Sequence, residues 1–257
     1  MRKPRLAALL ASGNAAASPV LRALAAAHAI GPVASTSFRV ASRIVNAMRA
    51  GRAVPSVDAF ESCRLVLIFA PADSAAAAVA RLAASPLEWR NRSAILIGDD
   101  AGPLDPLRER GAVAGVIAAV PGFEDRYFLL EGPPSVTREL RPLLRKAVDL
   151  VLIPPGARAR FEAAMTLAGH ALFPTLVASD AAFASSGIPR HLSDSVLEKA
   201  VQRTLRAWLK ARRNGWSTLD GPDACRIARQ VAAMEWAHPR TGAYLHNLII
   251  SLDEFMR

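Results

Sequence analysis

Short apolar runs alternate with helical patterns over the first 154 residues, an alternation typical of a parallel α/β sheet. The run from Arg64 to Ala70 is apolar at almost every position, which suits a central strand buried on both faces. The pattern predicts strands at 6–11, 29–35, 65–70, 94–98, 115–120, 127–131 and 150–153, with helices at 19–27, 40–49, 74–84, 104–110 and 135–146.

The pattern becomes helical after Pro154-Pro155-Gly156. Helices are predicted at 157–184, with a kink at Pro174, and at 193–213, 223–236 and 242–256. The proline pair therefore predicts a boundary between a domain at 1–154 and an α-helical domain at 155–257. The predicted fold class is α/β: a Rossmann-type, mainly parallel sheet domain followed by an all-α C-terminal domain.

The first strand leads into a turn that resembles a dinucleotide-binding fingerprint. That fingerprint places glycine at the tight turn, at the pyrophosphate approach and at the helix–strand contact. The corresponding residues here are Ala11, Gly13 and Ala16, so only the second glycine is present. Gly13, Asn14, Ala15 and Ala16 are the residues expected to approach a pyrophosphate.

The end of the second predicted strand is basic and rich in hydroxyl groups. Ser35 is its last residue, Ser37 and Arg39 follow it, and no Asp or Glu occurs between His28 and Gly51. In a Rossmann fold an acidic residue here favours NAD, whereas arginine accommodates the 2′-phosphate of NADP. The expected cofactor is therefore NADP. A serine N-cap followed by a solvated basic helix is the alternative interpretation.

Pro71, Ala72 and Asp73 follow the most apolar predicted strand. Ligands of open α/β sheets bind outside the carboxyl ends of the strands, so these residues are expected to line the nicotinamide side of a cofactor cleft. A turn that merely initiates a helix would have the same sequence.

The chain has 257 residues and a formal net charge of +10, with 32 Lys and Arg against 22 Asp and Glu. This excess fits an anionic partner or an arginine-rich solvated surface. Nucleic acid is the weakest alternative, because no recognised binding motif accompanies the basic residues. The two cysteines have no metal-ligand spacing, and no apolar run of membrane-spanning length is evident, so we expect no metal, no membrane association and a cytoplasmic location. A signal peptide is the alternative at the N-terminus, but its apolar stretch is short.

Together these segments resemble a Rossmann-like oxidoreductase family of unknown function whose C-terminal helical domain is similar to that of 6-phosphogluconate dehydrogenase and pyrroline-5-carboxylate reductase. The resemblance rests on Leu65–Asp73, on Tyr127–Gly132 and on Leu219-Asp220-Gly221-Pro222. It implies NADP as cofactor, hydride transfer to a small carbonyl or imine substrate, and a homodimer formed through the helical domain.

The chain departs from the family at several polar positions. Asp99-Asp100-Ala101-Gly102 replaces a Ser-Gly pair, Ala118-Ala119 replaces His-Pro, and Phe161-Glu162 replaces Tyr-His. His170 stands where an asparagine is expected, and the Arg-Gly-Asp that follows Gly-Pro is replaced around Ala224-Cys225-Arg226. A non-catalytic relative that senses a ligand or serves as a protein-interaction scaffold is therefore the alternative function.

Three polar residues share one face of the first long predicted helix. Glu162, Thr166 and His170 follow one another at a spacing of four residues. In the resembling family this helix faces the cleft between the domains. We expect His170 to act there as a general acid, with Glu162 as the second catalytic residue. A polar face that meets only water is the alternative.

Overall fold

The computed structural model describes residues 6–100, 102–144, 148–212 and 224–256. For residues 224, 225 and 253–256 it describes the main chain only. Residues 6–160 contain an eight-stranded sheet of order β3-β2-β1-β4-β5-β6-β7-β8. The strands are β1 Ala7–Ala11, β2 Ile30–Ala34, β3 Arg52–Ala53, β4 Leu65–Phe69, β5 Ser93–Ile97, β6 Val113–Ala119, β7 Tyr127–Glu131 and β8 Asp149–Ile153.

The first six strands are parallel and have the Rossmann order, as the sequence predicts. β7 then pairs antiparallel with β6, and β8 pairs parallel with β7. The seven predicted strands are confirmed within two residues, whereas the sequence pattern does not predict β3. β3 has only two residues, Arg52 and Ala53, which pair with Pro32 and Val33 at the edge of the sheet. The predicted α/β class is confirmed.

Helices cover both faces of this sheet because its central strands are apolar on both sides. Leu9, Leu67 and Ile95 belong to one buried cluster, and their neighbours in sequence belong to the cluster on the opposite face. The helices of this unit are α1 Pro19–Ala26, α2 Phe38–Met48, α3 Ala72–Ala83, α4 Asp105–Glu109 and α5 Pro134–Leu140. The predicted end of the last helix, Lys146, lies outside the described residues.

Two arginines bind main-chain carbonyl groups within this unit. Arg92 donates to the carbonyl oxygens of Phe60, Glu61, Cys63 and Glu88. Arg110 donates to those of Ala83, Ser85 and Leu87. These carbonyls belong to helix ends and connecting loops, where no helical partner is available. Part of the basic excess therefore has a structural role within the chain.

The remaining described residues are helical. The chain divides into two compact units, residues 1–160 and 161–257. The helices are α6 Arg158–Ala168, α7 Leu172–Ser185, α8 Arg190–Ala211, α9 Ala224–Ala237 and α10 Pro239–Met256. The apolar run 248–252 lies inside α10.

The expected single helix over 157–184 is wrong. The chain breaks between α6 and α7 at Gly169-His170-Ala171, and Pro174 is not a kink but the third residue of α7. Glycine has low helix propensity, which favours the break. A proline in the first turn of a helix removes no intrahelical hydrogen bond, so Pro174 is compatible with its position.

The second unit buries few of its own side chains. Val231 is the one buried hydrophobic residue among its described side chains. Large apolar residues are exposed on several helices instead, among them Phe173, Leu209 and Trp236. The stretch Arg158–Ser185 is long and apolar enough to cross a membrane by length and composition, contrary to the expectation from sequence, but the turn at 169–171 interrupts it.

Candidate functional site

The turn after β1 lies against the end of β4. The Ser12 amide donates to the Phe69 carbonyl at 2.8 Å. Gly13 follows with φ +69°, in the left-handed region that favours glycine. A Cβ on Gly13 would lie 3.3 Å from Cγ of Pro71, so this residue needs both its backbone conformation and its lack of a side chain. The one fingerprint glycine that the chain keeps is therefore the one that its geometry requires.

A row of backbone amides follows that turn. The N–H groups of Gly13, Asn14, Ala15 and Ala16 have no hydrogen-bond partner among the described residues, whereas those of Ala17 and Ser18 donate to the Asn14 and Ala15 carbonyls at 3.1 Å. Consecutive free amides at the beginning of a helical segment attract anions. The residues expected at a pyrophosphate thus present the groups that would bind one.

The turn at Gly13 does not lead directly into α1. A 3-10 turn, Ala15–Ala17, precedes α1, which begins at Pro19 with the Ser18 hydroxyl as its N-cap. Ala11 lies inside β1 with 1% exposure, so its methyl group packs in the core and is outside the tight turn. The loss of the first fingerprint glycine therefore leaves the turn intact.

The three residues expected at a 2′-phosphate follow β2, and the structure separates their roles. Ser35 is buried, and its hydroxyl donates to the Ala11 carbonyl at 2.6 Å, so it joins β2 to β1 rather than facing a ligand. Ser37 accepts from the Val40 amide at 3.3 Å as the N-cap of α2. Arg39 is exposed in the first turn of α2 and has no described hydrogen-bond or ion-pair partner. The expectation for Ser35 is corrected accordingly.

Pro71, Ala72 and Asp73 are exposed where β4 passes into α3. Pro71 is the N-cap residue and Ala72 the first residue of α3. Both the ligand-lining and the helix-initiating interpretations of this segment are compatible with that position. The segment follows β4, which pairs with β1, and therefore lies near the Gly13 turn at the carboxyl edge of the sheet.

Sequence reasoning missed Arg81, which reaches the same edge from α3. Its Nη1 donates to the Ser35 carbonyl at 2.8 Å, although the two residues are 46 positions apart. Arg81 belongs to the last turn of α3, where a cation is expected on helix-dipole grounds alone. Nothing local in the sequence distinguishes it, because only the sheet order brings α3 to the end of β2.

A second missed arrangement is an arginine between two carboxylates. The Arg158 guanidinium contacts Glu131 (Nε to Oε2, 3.5 Å) and Asp99 (Nη1 to Oδ1, 3.3 Å). Glu131 also accepts from the Gly156 amide at 2.5 Å. Glu131 and Arg158 are buried and Asp99 is exposed, while Nη2 of Arg158 is buried with no partner among the described residues. This network fastens the residues after β8 to β7 and to the exit of β5.

The two candidate catalytic residues do not share a helix. Glu162 and Thr166 lie on α6, but α6 ends at Ala168 and His170 follows in the turn before α7. The prediction of one helix face is therefore wrong for His170, because the break at Gly169 ends the helical spacing. Glu162 and His170 are both exposed.

Ala118 and Ala119, which stand in place of the His-Pro pair of the resembling family, are the last two residues of β6. Residues 101 and 219–222 lie outside the described chain. No group of three or more His, Cys, Asp or Glu among the described residues could hold a metal ion.

Burial raises the pKa of the Cys63 thiol, against smaller opposing effects of the Ser62 hydroxyl and Arg92.

Comparison with solved structures shows what this fold is similar to. The imine reductase of Myxococcus stipitatus in complex with NADP+ is 13% identical to this chain, with a TM-score of 0.60. The V8 variant of that enzyme in complex with NAD+ is 14% identical, with a TM-score of 0.66. Each match covers 97% of this chain and 94% of the imine reductase chain. The imine reductase of Aspergillus terreus, solved with NADPH4 and an azepine, is 14% identical (99% and 93% covered, TM-score 0.58). A pyrroline-5-carboxylate reductase from Coxiella burnetii is 13% identical (98% of each chain, TM-score 0.52).

No family model matches this chain. No curated protein sequence matches it either. The chain thus has the fold of the NAD(P)-binding imine reductases and of pyrroline-5-carboxylate reductase, at an identity that marks it as divergent. The resemblance seen in the sequence is confirmed at the level of the fold.

Replacing Gly13 by alanine tests the geometry of the first turn. We expect Gly13→Ala to lower the free energy of unfolding by about 2 kcal/mol, of which about 1 kcal/mol comes from the left-handed backbone. Gly122→Ala is the matched control, because Gly122 has φ +79° and an added Cβ there would meet nothing within 4 Å. Urea unfolding measures both. Equal losses in the two variants would show that the contact with Pro71 adds nothing.

Proposed function

We propose that the protein is an NADP(H)-binding oxidoreductase that transfers hydride to a small carbonyl or imine substrate. The observation that carries the proposal is the row of four free amides from Gly13 to Ala16, placed between the carboxyl ends of β1 and β4. A pyrophosphate is the group that such a row binds in a sheet of this order. The nicotinamide-bound imine reductases of the same fold support the choice of ligand.

The roles of the chain follow from these positions. The amides of Gly13, Asn14, Ala15 and Ala16 would hold the pyrophosphate, with Pro71, Ala72 and Asp73 beside the nicotinamide half. A bound nicotinamide cofactor supplies the hydride. The protein's part is to fix the geometry of the two reactants and to provide a proton for the nitrogen or oxygen that receives charge.

The preference for NADP rests on the charge at the end of β2. Arg39 is exposed and lacks an acidic partner among the described residues, and Ser37 begins the same helix turn. A guanidinium and a hydroxyl at this position suit a 2′-phosphate, and no carboxylate stands there to bind a ribose diol. Ser35 would support this loop through its bond to Ala11.

Calorimetric titration with NADPH and with NADH tests the cofactor assignment. We expect NADPH to bind more tightly and to raise the melting temperature. Arg39→Ala should weaken NADPH binding by about tenfold, since it removes a charge-assisted contact, and should leave NADH nearly unchanged. Arg138→Ala is the control, because Arg138 is exposed on α5 without a described partner. No binding of either cofactor at millimolar concentration would contradict the function.

We propose His170 as the general acid and Glu162 as the second catalytic residue. His170 is exposed in the turn between α6 and α7, and its ring has no hydrogen-bond partner among the described residues, so it is available to a ligand. An imidazole is a suitable proton donor to an imine nitrogen near neutral pH. Glu162, on the preceding helix, would act on the substrate or on the charge of the imidazole.

NADPH oxidation with a five-membered cyclic imine tests these two residues. We expect His170→Ala to lower kcat by about a hundredfold with little change in the Kd of NADPH, because a lost general acid affects the chemical step. Glu162→Gln should lower kcat less. His191→Ala, at another exposed histidine, should match the unchanged protein. An unaltered kcat for His170→Ala would remove that residue from the mechanism.

A non-catalytic scaffold or ligand sensor is the second candidate function. The observation that favours it concerns the residues at the ends of β5 and β6. Asp99-Asp100 and Ala118-Ala119 stand there in place of the Ser-Gly and His-Pro pairs of the resembling family, and Asp99 forms an ion pair with Arg158. This candidate also predicts cofactor binding for a sensor. It is distinguished by the absence of NADPH oxidation with any carbonyl or imine tested.

We also propose that the protein is a cytoplasmic homodimer formed through the helical unit. Apolar side chains four residues apart make exposed stripes, Phe173 with Val177 on α7 and Leu205 with Leu209 on α8. Exposed apolar surface of this extent is unusual in a monomer, and Val231, the one buried hydrophobic residue among the described side chains of the unit, gives it little core. A second copy would cover the same stripes by symmetry.

Light scattering on the purified protein tests the dimer. We expect twice the chain mass, and a monomer for the double variant Val177→Glu/Leu209→Glu, because two buried carboxylates per subunit would oppose association. Thr204→Glu is the control, since Thr204 is polar and exposed on α8. A monomeric wild-type protein would contradict the proposal. Recovery only in detergent would instead favour the membrane alternative for 158–185.

A further inference from the structure

We propose that Arg81 is a specificity-determining residue for the 2′-phosphate of the cofactor, acting together with Arg39. This inference rests on the proposed NADP(H) function and adds a residue that belongs to a different helix and a different part of the sequence. The geometry that points to it is the bond from Arg81 Nη1 to the Ser35 carbonyl, at 2.8 Å.

That bond places a guanidinium at the residue where β2 ends. Ser35 is itself fixed, because its hydroxyl donates to the Ala11 carbonyl of β1 at 2.6 Å. Arg81 is therefore held by a main-chain group whose position depends on the centre of the sheet. A side chain already fixed in this way loses less conformational entropy when a ligand binds.

The surface of α3 leads from the first turn to this guanidinium. Pro71 precedes α3 and lies near the Gly13 turn, where an added Cβ would be 3.3 Å from its Cγ, and Arg81 lies ten residues further, about 15 Å along the helix axis. Ala77 and Ala78, which precede Arg81 by four and three residues and therefore share its side of the helix, are exposed and half-buried respectively. Side chains as small as methyl groups would permit a flat adenine ring to approach this surface of the helix.

The charge at this place is uncompensated. Arg39, Arg43 and Arg81 form no ion pair with any described residue, and no acidic residue occurs between His28 and Gly51. The bond to Ser35 uses Nη1 of Arg81 and leaves Nε and Nη2 without a described partner. A dianionic phosphate is the cofactor group that matches two arginines with free donors.

Binding of 2′,5′-ADP and of 5′-AMP isolates the 2′-phosphate from the nicotinamide and from catalysis. We expect the wild-type protein to bind 2′,5′-ADP more tightly than 5′-AMP by calorimetry. Arg81→Ala should reduce the affinity for 2′,5′-ADP by roughly ten- to a hundredfold and that for 5′-AMP by less than about twofold. Arg81→Lys should recover part of the loss, because it keeps the charge without the planar fork. Arg138→Ala is again the charge-matched control, and the melting temperature of each variant shows whether it is folded.

The outcomes separate this inference from the proposed function. If the wild-type protein prefers 2′,5′-ADP and a folded Arg81→Ala keeps that preference, the role of Arg81 is overturned while the NADP assignment stands. Equal weakening of both nucleotides would make Arg81 a support of the β2 loop, and it also overturns the inference. If the wild-type protein binds neither nucleotide, the proposed cofactor function fails and the inference fails with it.

Discussion

The pairing of β1 with β2 on one side and with β4 on the other is the constraint on which the candidate site depends. It brings the residues that follow β1, β2 and β4 to one edge of the sheet, and two hydrogen bonds hold these segments together. The Ser12 amide binds the Phe69 carbonyl, and the Ser35 hydroxyl binds the Ala11 carbonyl. The turn at Gly13 has little freedom within this frame, so its free amides are presented in a fixed arrangement. A site of this kind is built mainly from the main chain and the sheet register.

The sequence predicts most of the first unit because burial on both faces leaves a continuous apolar run, and such runs are visible without any tertiary information. β3 is missed because two residues carry no periodicity. The break at Gly169 is missed because proline is the more obvious breaker, although the position of Pro174 makes it harmless. Arg81 and Arg158 are missed for another reason: their partners are remote in sequence, and only the order of the strands brings them together.

The lost fingerprint glycines have unequal weight once their positions are known. Ala11 is a core residue of β1, and Ala16 belongs to a 3-10 turn, so both methyl groups are accommodated. Gly13 alone of the three positions combines a left-handed backbone with a close neighbour. Two of the three fingerprint glycines can therefore be replaced by alanine while the turn keeps its conformation. Ser35 shows the reverse case, since a residue of the expected type occupies the expected place with its hydroxyl engaged elsewhere.

The arginines that bind carbonyl groups have a consequence for how this fold changes over time. Arg92 and Arg110 contact the main chain of seven residues, and a carbonyl oxygen is the same whichever side chain its residue carries. These bonds therefore do not depend on the side chains of the seven residues, although Phe60, Cys63, Ser85 and Leu87 are buried and are constrained by packing. Arg92 makes four bonds from three nitrogen atoms, whereas the single ammonium nitrogen of a lysine has only three donors. A sequence change at an exposed member of this set, such as Glu61, would therefore leave the bond to its main chain in place.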